Sequence, residues 1–409
     1  MNTKIFSPEP VRIMDLRGTY KGGGGPDKTI LNSAARHDPS RVYVLVTYLR
    51  RKDDKEFDIH LKASKLGIHY VDVYDESLLD FKCLSRLSAL IREHNITLLH
   101  AHDDKTLFYG WLLKFFNPRL VIMYTCHSHS RYTRSDFGNC LSYYKFLMRT
   151  KIRIFLMKRY RSPVISVSEN TRERLVAHGM SPIDIEVIYN GIDVDYWKKE
   201  RGEAVIRHEL HIPSKGFVVG TVARITYDKD LPTFYEVARR VSEKVPDVTF
   251  VIVGDGYGNE LEEAKAKVRQ LGLDNVIKFT GHRSNLLDIY ASFDVFLMTS
   301  LTEGLPNTAL EAMSMNIPVV STSVGGVPEL VVHNKTGFLS DVHDARGLSE
   351  QVISLLKNEQ QRAEFALSAR QRIEKYFSFA LRVRKMEGYY ERFNRNGSEM
   401  SVTAVRGSE

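Results

Sequence analysis

Short runs of β-branched and aliphatic residues, each followed by a longer amphipathic stretch, recur along almost the whole chain, and this alternation limits the fold more than any other feature. In the first half the strand candidates are VRIMDL (11–16), VYVLV (42–46), HYVDVY (69–74), TLLHAH (97–102), LVIMYT (120–125), VISVS (164–168) and EVIYNG (186–191). The second half gives FVVGTVAR (217–224), TFVIVG (249–254), VIKFTG (276–281), VFLMTS (295–300) and PVVSTS (318–323). Near-continuous apolar strands separated by helical patterns belong in parallel sheets covered on both faces. Residues 191–216 carry little pattern and read as a linker with a short helix, so two doubly wound α/β domains are expected to meet near residue 195. With 409 residues the chain is long enough for two such cores. Ligands of such sheets bind beyond the carboxyl ends of the strands, so motifs just after a strand carry the functional weight.

Several classes are set aside by composition. No run of eighteen apolar residues occurs, and the start MNTKIFSPEP lacks the basic-then-apolar order of a signal peptide, so neither a spanning nor an exported chain is expected. Cys83, Cys126 and Cys140 form no C-x-x-C pair, which fits a reducing cytoplasm better than a disulfide framework or zinc module. The net charge of +8 is uneven: residues 1–190 hold 30 Lys/Arg against 20 Asp/Glu, and the remainder 28 against 30. The first domain is therefore expected to face something anionic, with nucleic acid and membrane both open. Between residues 137 and 168 there is no carboxylate, while Lys145, Arg149, Lys151, Arg153, Lys158, Arg159 and Arg161 interleave with aromatic and aliphatic residues. A basic helix over 139–161 reads either as a membrane-surface element or as a solvated cover on the sheet.

Three motifs follow strands of the second half. Arg224 and Lys229 stand five residues apart at one strand mouth, where a planar fork and a point charge can clamp a diphosphate beside helix-start amides. Gly254–Asp255–Gly256–Tyr257–Gly258 allows a tight turn but is no dinucleotide fingerprint, because Asn259 stands where the third glycine is needed. Glu303–Gly304–Leu305–Pro306–Asn307–Thr308 links a strand to the helix NTALEAMSM. Asn307 is a plausible N-cap there, leaving the amides of Gly304, Leu305, Asn307 and Thr308 for an anion. Glu303 and Glu311 can face one cleft and accept hydrogen bonds from hydroxyl groups, or simply favour a helix start. In the first half, RGTYKGGGGPDKT is not a P-loop, since Asp27 precedes Lys28 where glycine is required.

Residues 164–340 resemble the retaining glycosyltransferases of GT-B fold, specifically glycosyltransferase family 4. The matching elements in order are VISVSENTRERL, VIYNGID, GTVARITYDKDLPTF, VIVGDGYGNELE, IKFTGH, DVFLMTSLTEGLPNTALEAMSMNIPVVSTSVGGVPELV and NKTGFL, and Glu303 and Glu311 carry the family's Glu–x7–Glu pattern. One departure is visible: Asp230 stands where the family usually has glycine after the clamp lysine. The resemblance implies two Rossmann-like domains facing across a cleft, 1–195 for the acceptor and 196–380 for the nucleotide sugar. A C-terminal helix at 381–396 is expected to cross back, followed by a tail at 397–409. It implies catalytic roles for His127, Arg224, Lys229 and Glu303, with the two cations on the diphosphate. Glu311 is implied at the ribose, Gly304, Leu305, Pro306, Asn307 and Thr308 at the sugar and phosphate, and Asp255, Gly256 and His282 at the donor. Gly23, Gly24 and Gly25 correspond to the family's glycine loop, His102 is expected to border the cleft with His129 a substitute for His127, and His100 to be a satisfied core residue. The expected donor is a UDP- or GDP-sugar, used without a metal or other cofactor. The expected partners are a glycan or lipid-linked acceptor and an anionic membrane surface, with no nucleic acid. The implied setting is cytoplasmic, peripheral on the inner face of the cytoplasmic membrane. A sugar-nucleotide epimerase of the same fold and a non-catalytic nucleotide-sugar-binding protein are the rival readings.

Overall fold

The computed structural model describes residues 9–19, 23–127, 140–256 and 258–394. Seven parallel strands build the first sheet: β1 (Val11–Gly18), β2 (Val42–Arg50), β3 (Tyr70–Tyr74), β4 (Leu98–Ala101), β5 (Val121–Cys126), β6 (Val164–Ser166) and β7 (Ile185–Val187), in the order β3-β2-β1-β4-β5-β6-β7. Six build the second: β8 (Phe217–Val222), β9 (Val248–Val253), β10 (Ile277–Gly281), β11 (Val295–Met298), β12 (Val319–Thr322) and β13 (Gly337–Ser340), in the order β10-β9-β8-β11-β12-β13. In each sheet the order reverses beside the first strand, between β1 and β4 and between β8 and β11. Connections leave in opposite directions there and open a crevice at the carboxyl ends. The expected strands all form, with shifted ends. β6 stops at Ser166 because Ser168 caps the helix Glu169–Ala177, its Oγ accepting from the Thr171 N–H at 3.1 Å. β13 lies outside the expected strands: Gly-Phe-Leu-Ser has two apolar residues between a glycine and a serine, a composition that reads as loop.

Apolar side chains from both faces of each sheet fill cores under the covering helices. The linker contributes a short helix, Val205–Glu209, whose Ile206 enters the second-domain core. The last helix, Phe379–Asn394, leaves the second domain after Ser378 pairs with Ile192 and lies against the helix Gly25–Ala34 and β1. Its Met386, Tyr389 and Tyr390 complete the first-domain core beside Ile13, Val44 and Ile188. Arg382 fixes the crossing point by donating to the carbonyls of Ile188 (3.2 Å) and Tyr189 (2.8 Å) and to Ser33 Oγ (3.1 Å). Residues 397–409 lie outside the described residues.

The helix Cys140–Arg159 presents two apolar faces. Ile154 and Met157 enter the first-domain core, whereas Leu141, Tyr144, Met148, Ile152 and Phe155, spaced three or four apart, stand exposed. Arg153 is no free surface charge: it lies 2.8 Å from Asp104 and is half-enclosed over Tyr124. No described helix is long and apolar enough to cross a membrane.

Because the first-domain core borrows residues from the end of the chain, damage there should be felt at a distance. Met386→Ala removes a buried side chain (2 % exposed) and should cost about 2–5 kcal/mol. A thermal melt followed by circular dichroism should show an early transition carrying only part of the total signal.

Candidate active site between the two sheets

The carboxyl ends of β1, β4 and β5 face those of β8 and β11 across a cleft of about 360 Å³. On the second-domain side, the chain leaving β8 passes Arg224 and makes a 3₁₀ turn at Tyr227–Lys229 before the helix Leu231–Ser242. Asp230, between turn and helix, has φ +47°, a left-handed conformation that explains why glycine suits this position. Aspartate is among the side chains that tolerate it, and it uses the geometry. Its carboxylate accepts from the Thr233 hydroxyl (2.5 Å) and N–H (3.4 Å), and lies 2.9 Å from His343 Nδ1. Lys229 is thereby aimed into the cleft wall, 2.9 Å from Glu303 and 3.0 Å from Asp228. Burial works against its charge, but the two carboxylates prevail and hold its pKa above the ordinary lysine value. Glu303 is held in turn by the Ser300 hydroxyl, which donates to Oε1 at 2.7 Å.

Beyond Glu303 the loop enters the helix Asn307–Ser314. The N-cap is Pro306, in extended conformation; Asn307 is the first helical residue, not the cap expected from its type. Its amide points instead across the cleft, donating to Gly25 O at 2.6 Å and Thr29 Oγ1 at 3.3 Å. Glycines make the loop's close approaches possible. A Cβ on Gly304 would overlap the carbonyl oxygen of His127, one on Gly325 that of Glu303, and one on Gly326 that of Gly304. Leu305 O accepts from Asn190 Nδ2 at 2.9 Å, a second tie between domains that the VIYNGID motif supplies. Glu311 does not reach the open cleft. It is buried (3 % exposed), with Oε1 2.7 Å from Lys28 Nζ and Oε2 accepting from the Tyr290 hydroxyl at 3.0 Å. Four residues into the helix, its side chain is turned along the helix flank onto these partners rather than past the helix start.

On the first-domain side, Gly23 (φ +74°), Gly24 and Gly25 pass between Asp27 and the second domain. Asp27 accepts from the Gly24 N–H (2.6 Å), Arg17 Nε (2.7 Å) and the Tyr48 hydroxyl (2.9 Å), pinning the loop from below. Added Cβ atoms on Gly24 and Gly25 would stand 3.8 Å from Arg224 Nη2 and 3.1 Å from Asn307 Nδ2, so the loop lies directly on the opposing site. His127 lines the cleft just after β5. His102 does not border it: buried, it stands behind His127, with Nδ1 3.1 Å from His127 Nε2 and Nε2 3.2 Å from Asp15 Oδ1. His100 is a satisfied core residue, bonded to Thr125 and Tyr390 at 2.6 and 2.9 Å. Asp15, His100 and His102 bring ligand-type atoms within 4.8 Å of one another, but each imidazole nitrogen already has a protein partner, so the group is spent on hydrogen bonds. Asp255, Gly256 and His282 lie at the ends of β9 and β10, outside the cleft lining; Gly256 N–H is occupied by the Asp255 carboxylate at 2.8 Å. Gly22 and His129 are outside the described residues.

The cleft is thus polar in two opposite senses. On one side stand the cations Arg224 and Lys229, the latter paired with Asp228 and Glu303, and the N–H end of the helix Asn307–Ser314. Elsewhere in its lining, His127 Nδ1, Asn190 Oδ1, Asn307 Oδ1 and Thr302 Oγ1 are buried without a protein partner. Both amide oxygens are identified by the carbonyls their nitrogens meet. Atoms of this kind remain open to a hydrogen bond from a ligand or an ordered water.

Two family models match: "Glycosyltransferase Family 4" over residues 24–196 and "Glycosyl transferases group 1" over residues 203–372. The chain is 22% identical to the capsular polysaccharide biosynthesis glycosyltransferase CapM of Staphylococcus aureus, over 77% of this chain and 81% of that protein. It is 24% identical to an Escherichia coli UDP-Gal:alpha-D-GlcNAc-diphosphoundecaprenol alpha-1,3-galactosyltransferase, over 82% and 89% of the two chains. Its fold matches HepE of Anabaena, solved with UDP and glucose, at a TM-score of 0.79 and 21% identity, over 93% of this chain and 100% of that one.

Lys28 ties the two domains through a buried carboxylate, a role that its place in the glycine loop RGTYKGGGGPDKT does not announce. Lys28→Met should lower the unfolding free energy by about 1–3 kcal/mol, because the buried Glu311 side chain loses its partner from the first domain. Adding Glu311→Gln should restore part of that loss, and a urea-unfolding double-mutant cycle measures both terms.

Proposed function

The chain belongs to the group 1, family 4 glycosyltransferases of GT-B fold, and on that premise we propose that it is a retaining, metal-independent enzyme moving a sugar from a nucleotide diphosphate to a hydroxyl acceptor. The observation that carries the reading is the two-sided cleft: cations and a helix start fit a diphosphate, and unpartnered acceptors nearby fit a polyhydroxy group. One ligand that needs both is a UDP- or GDP-sugar. In the step we propose, the bond between the anomeric carbon and the diphosphate oxygen breaks, and its electron pair leaves with the diphosphate. Arg224 and Lys229, with the amides of the loop Gly304–Thr308, stabilise that growing charge in place of a metal. The acceptor oxygen bonds to the anomeric carbon on the same face, and its proton passes to the departing diphosphate. Glu303, braced by Ser300 and Lys229, orients the transferred sugar. Glu311 takes the ribose diol in exchange for Lys28, whose half-exposed side chain swings off the buried carboxylate and opens it to the cleft. This reading is tested by incubating the protein and an acceptor with UDP- and GDP-sugars in EDTA. Transfer with retained anomeric configuration is expected, and Lys229→Ala should lower kcat by roughly 100-fold or more. Restoration of activity only by magnesium or manganese would overturn the metal-free part, and an epimerised donor without acceptor would replace the whole reading.

A lipid-linked glycan acceptor at the inner face of the cytoplasmic membrane fits the same enzyme. The support is the outward face of the helix Cys140–Arg159, where exposed Leu141, Tyr144, Met148, Ile152 and Phe155 alternate with exposed Lys145, Lys151, Lys158 and Arg159. The relatives named for capsular polysaccharide and for a diphosphoundecaprenol-linked substrate point the same way. At about 1 kcal/mol per charge near an anionic leaflet, replacing Lys145, Lys151 and Lys158 by serine should weaken binding to phosphatidylglycerol vesicles roughly 100-fold. Added salt should weaken the wild type in the same sense, and co-sedimentation measures both.

A further inference from the structure

Behind His127 runs a line of buried polar groups that the proposed chemistry does not use. Asp15 lies in the interior of β1, opposite His100 of β4. Its Oδ1 is 3.0 Å from His100 Nδ1 and 3.2 Å from His102 Nε2. Burial disfavours its charge, but the hydrogen bonds from the two imidazoles outweigh burial and keep the carboxyl ionised. An ionised carboxylate only accepts, so the proton of His102 must sit on Nε2. Burial also pulls the pKa of His102 down to about 3, so it holds one proton and its Nδ1 is a bare lone pair. That lone pair faces His127 Nε2 at 3.1 Å, and two bare nitrogens at this distance would repel. His127, itself kept neutral by burial, therefore carries its proton on Nε2. Its Nδ1 is left bare, buried and without a protein partner, on a residue that lines the cleft.

We infer that Asp15 and His102 are positioning residues that lock His127 in the Nε2–H tautomer, so that the cleft meets the transferred sugar with a hydrogen-bond acceptor at Nδ1 and takes a hydroxyl there. The inference rests on the reading of the cleft as a sugar-nucleotide site. His100 steadies the far side of the carboxylate: Thr125 and Tyr390 hold its ring, so Asp15 has two fixed donors rather than one. Each step is set by the group behind it, back to the one ionised member.

The test uses the full chain labelled with ¹⁵N in histidine only, with the His127 signals identified by their loss in His127→Gln. Two-bond ¹H–¹⁵N spectra of the wild type should show a proton on Nε2 and a bare Nδ1. A proton on Nδ1, or on both nitrogens at neutral pH, overturns the lock. Adding UDP-glucose or GDP-mannose, whichever binds, should shift the Nδ1 resonance, while UDP or GDP alone should leave it in place; equal shifts from both overturn the contact with the sugar. In His102→Leu the tautomer preference should disappear, and affinity for the sugar nucleotide should fall roughly 10-fold. Affinity for the free nucleoside diphosphate should stay within about twofold, since the sugar contact alone is disturbed. Unchanged sugar-nucleotide affinity in a folded His102→Leu overturns the positioning role. Should the variant not fold, the wild-type spectra still decide. If wild type binds no nucleoside diphosphate, the functional reading fails, and the proton position on His127 separately decides the lock.

Discussion

Gly304 rests against the carbonyl of His127, its own carbonyl accepts from the Gly326 N–H at 2.8 Å, and neither glycine has room for a side chain. This backbone contact brings a loop of the second domain onto the end of β5 in the first. The rest of the site follows from how close that approach is. Asn190 reaches Leu305, Asn307 reaches Gly25, and Lys28 reaches Glu311 because the backbones already lie that near. Each of these is a polar group that, apart from its partner in the other domain, would face solvent or remain unsatisfied in a half-buried crevice. Apolar contact lies beside these polar ties, where Val167 of the first domain packs with Leu305 of the second.

The charged residues of the cleft are arranged so that none is buried alone. Lys229 keeps its proton because Glu303 and Asp228 flank it, and Glu303 has Ser300 as a further donor. Glu311 is shared between Lys28 and Tyr290. Pairing of this kind contributes little net stability, since desolvation offsets most of the attraction. Its effect is geometric: Lys229, Glu303 and Glu311 are each held in orientation by a partner from another part of the chain. A diphosphate entering beside Lys229 would meet groups already oriented, with little reorganisation left to cost it affinity.

The fold could be read from the chain because parallel strands buried on both faces write themselves as dense apolar runs. β13 escaped because its two apolar residues stand between a glycine and a serine and read as loop, and strand ends moved by up to four residues, as at β2 and β7, or by two where Ser168 caps the following helix. The site was readable in proportion to how local it is. Arg224, Lys229, Glu303 and the glycines fall within short loops at strand mouths, and all of them line or contact the cleft. What depended on distant pairing was hidden. Lys28 and Glu311 are 283 residues apart, and Asn307 was expected to cap its own helix because its partner Gly25 lies in another domain. Asp15 was invisible for a different reason: inside VRIMDL it interrupts an apolar strand, and a strand pattern gives no hint that two histidines wait on its neighbour. Asp255, Gly256 and His282 follow strands too, but β9 and β10 stand on the far side of β8 from the order reversal, and the three residues are not among the lining of this cleft.

Asp15 and Asp230 illustrate how a sequence can break a local rule and have it absorbed elsewhere. Asp230 takes a backbone conformation suited to glycine, and Thr233 and His343 use its carboxylate so that the departure also caps a helix. Asp15 places an ionised group in an apolar strand, a choice that costs stability by itself, and the two histidines meet it only because β4 pairs with β1 at that register. The two compensations differ in reach. The first closes within one loop and its neighbour and leaves the cleft to Lys229. The second runs from the returning C-terminal helix, through Tyr390 and His100, to Asp15, His102 and the cleft edge at His127. The last helix is therefore joined to the cleft edge by a chain of hydrogen bonds as well as by its packing on the helix Gly25–Ala34, which gives the crossing of the chain back to its first domain a consequence beyond filling a core.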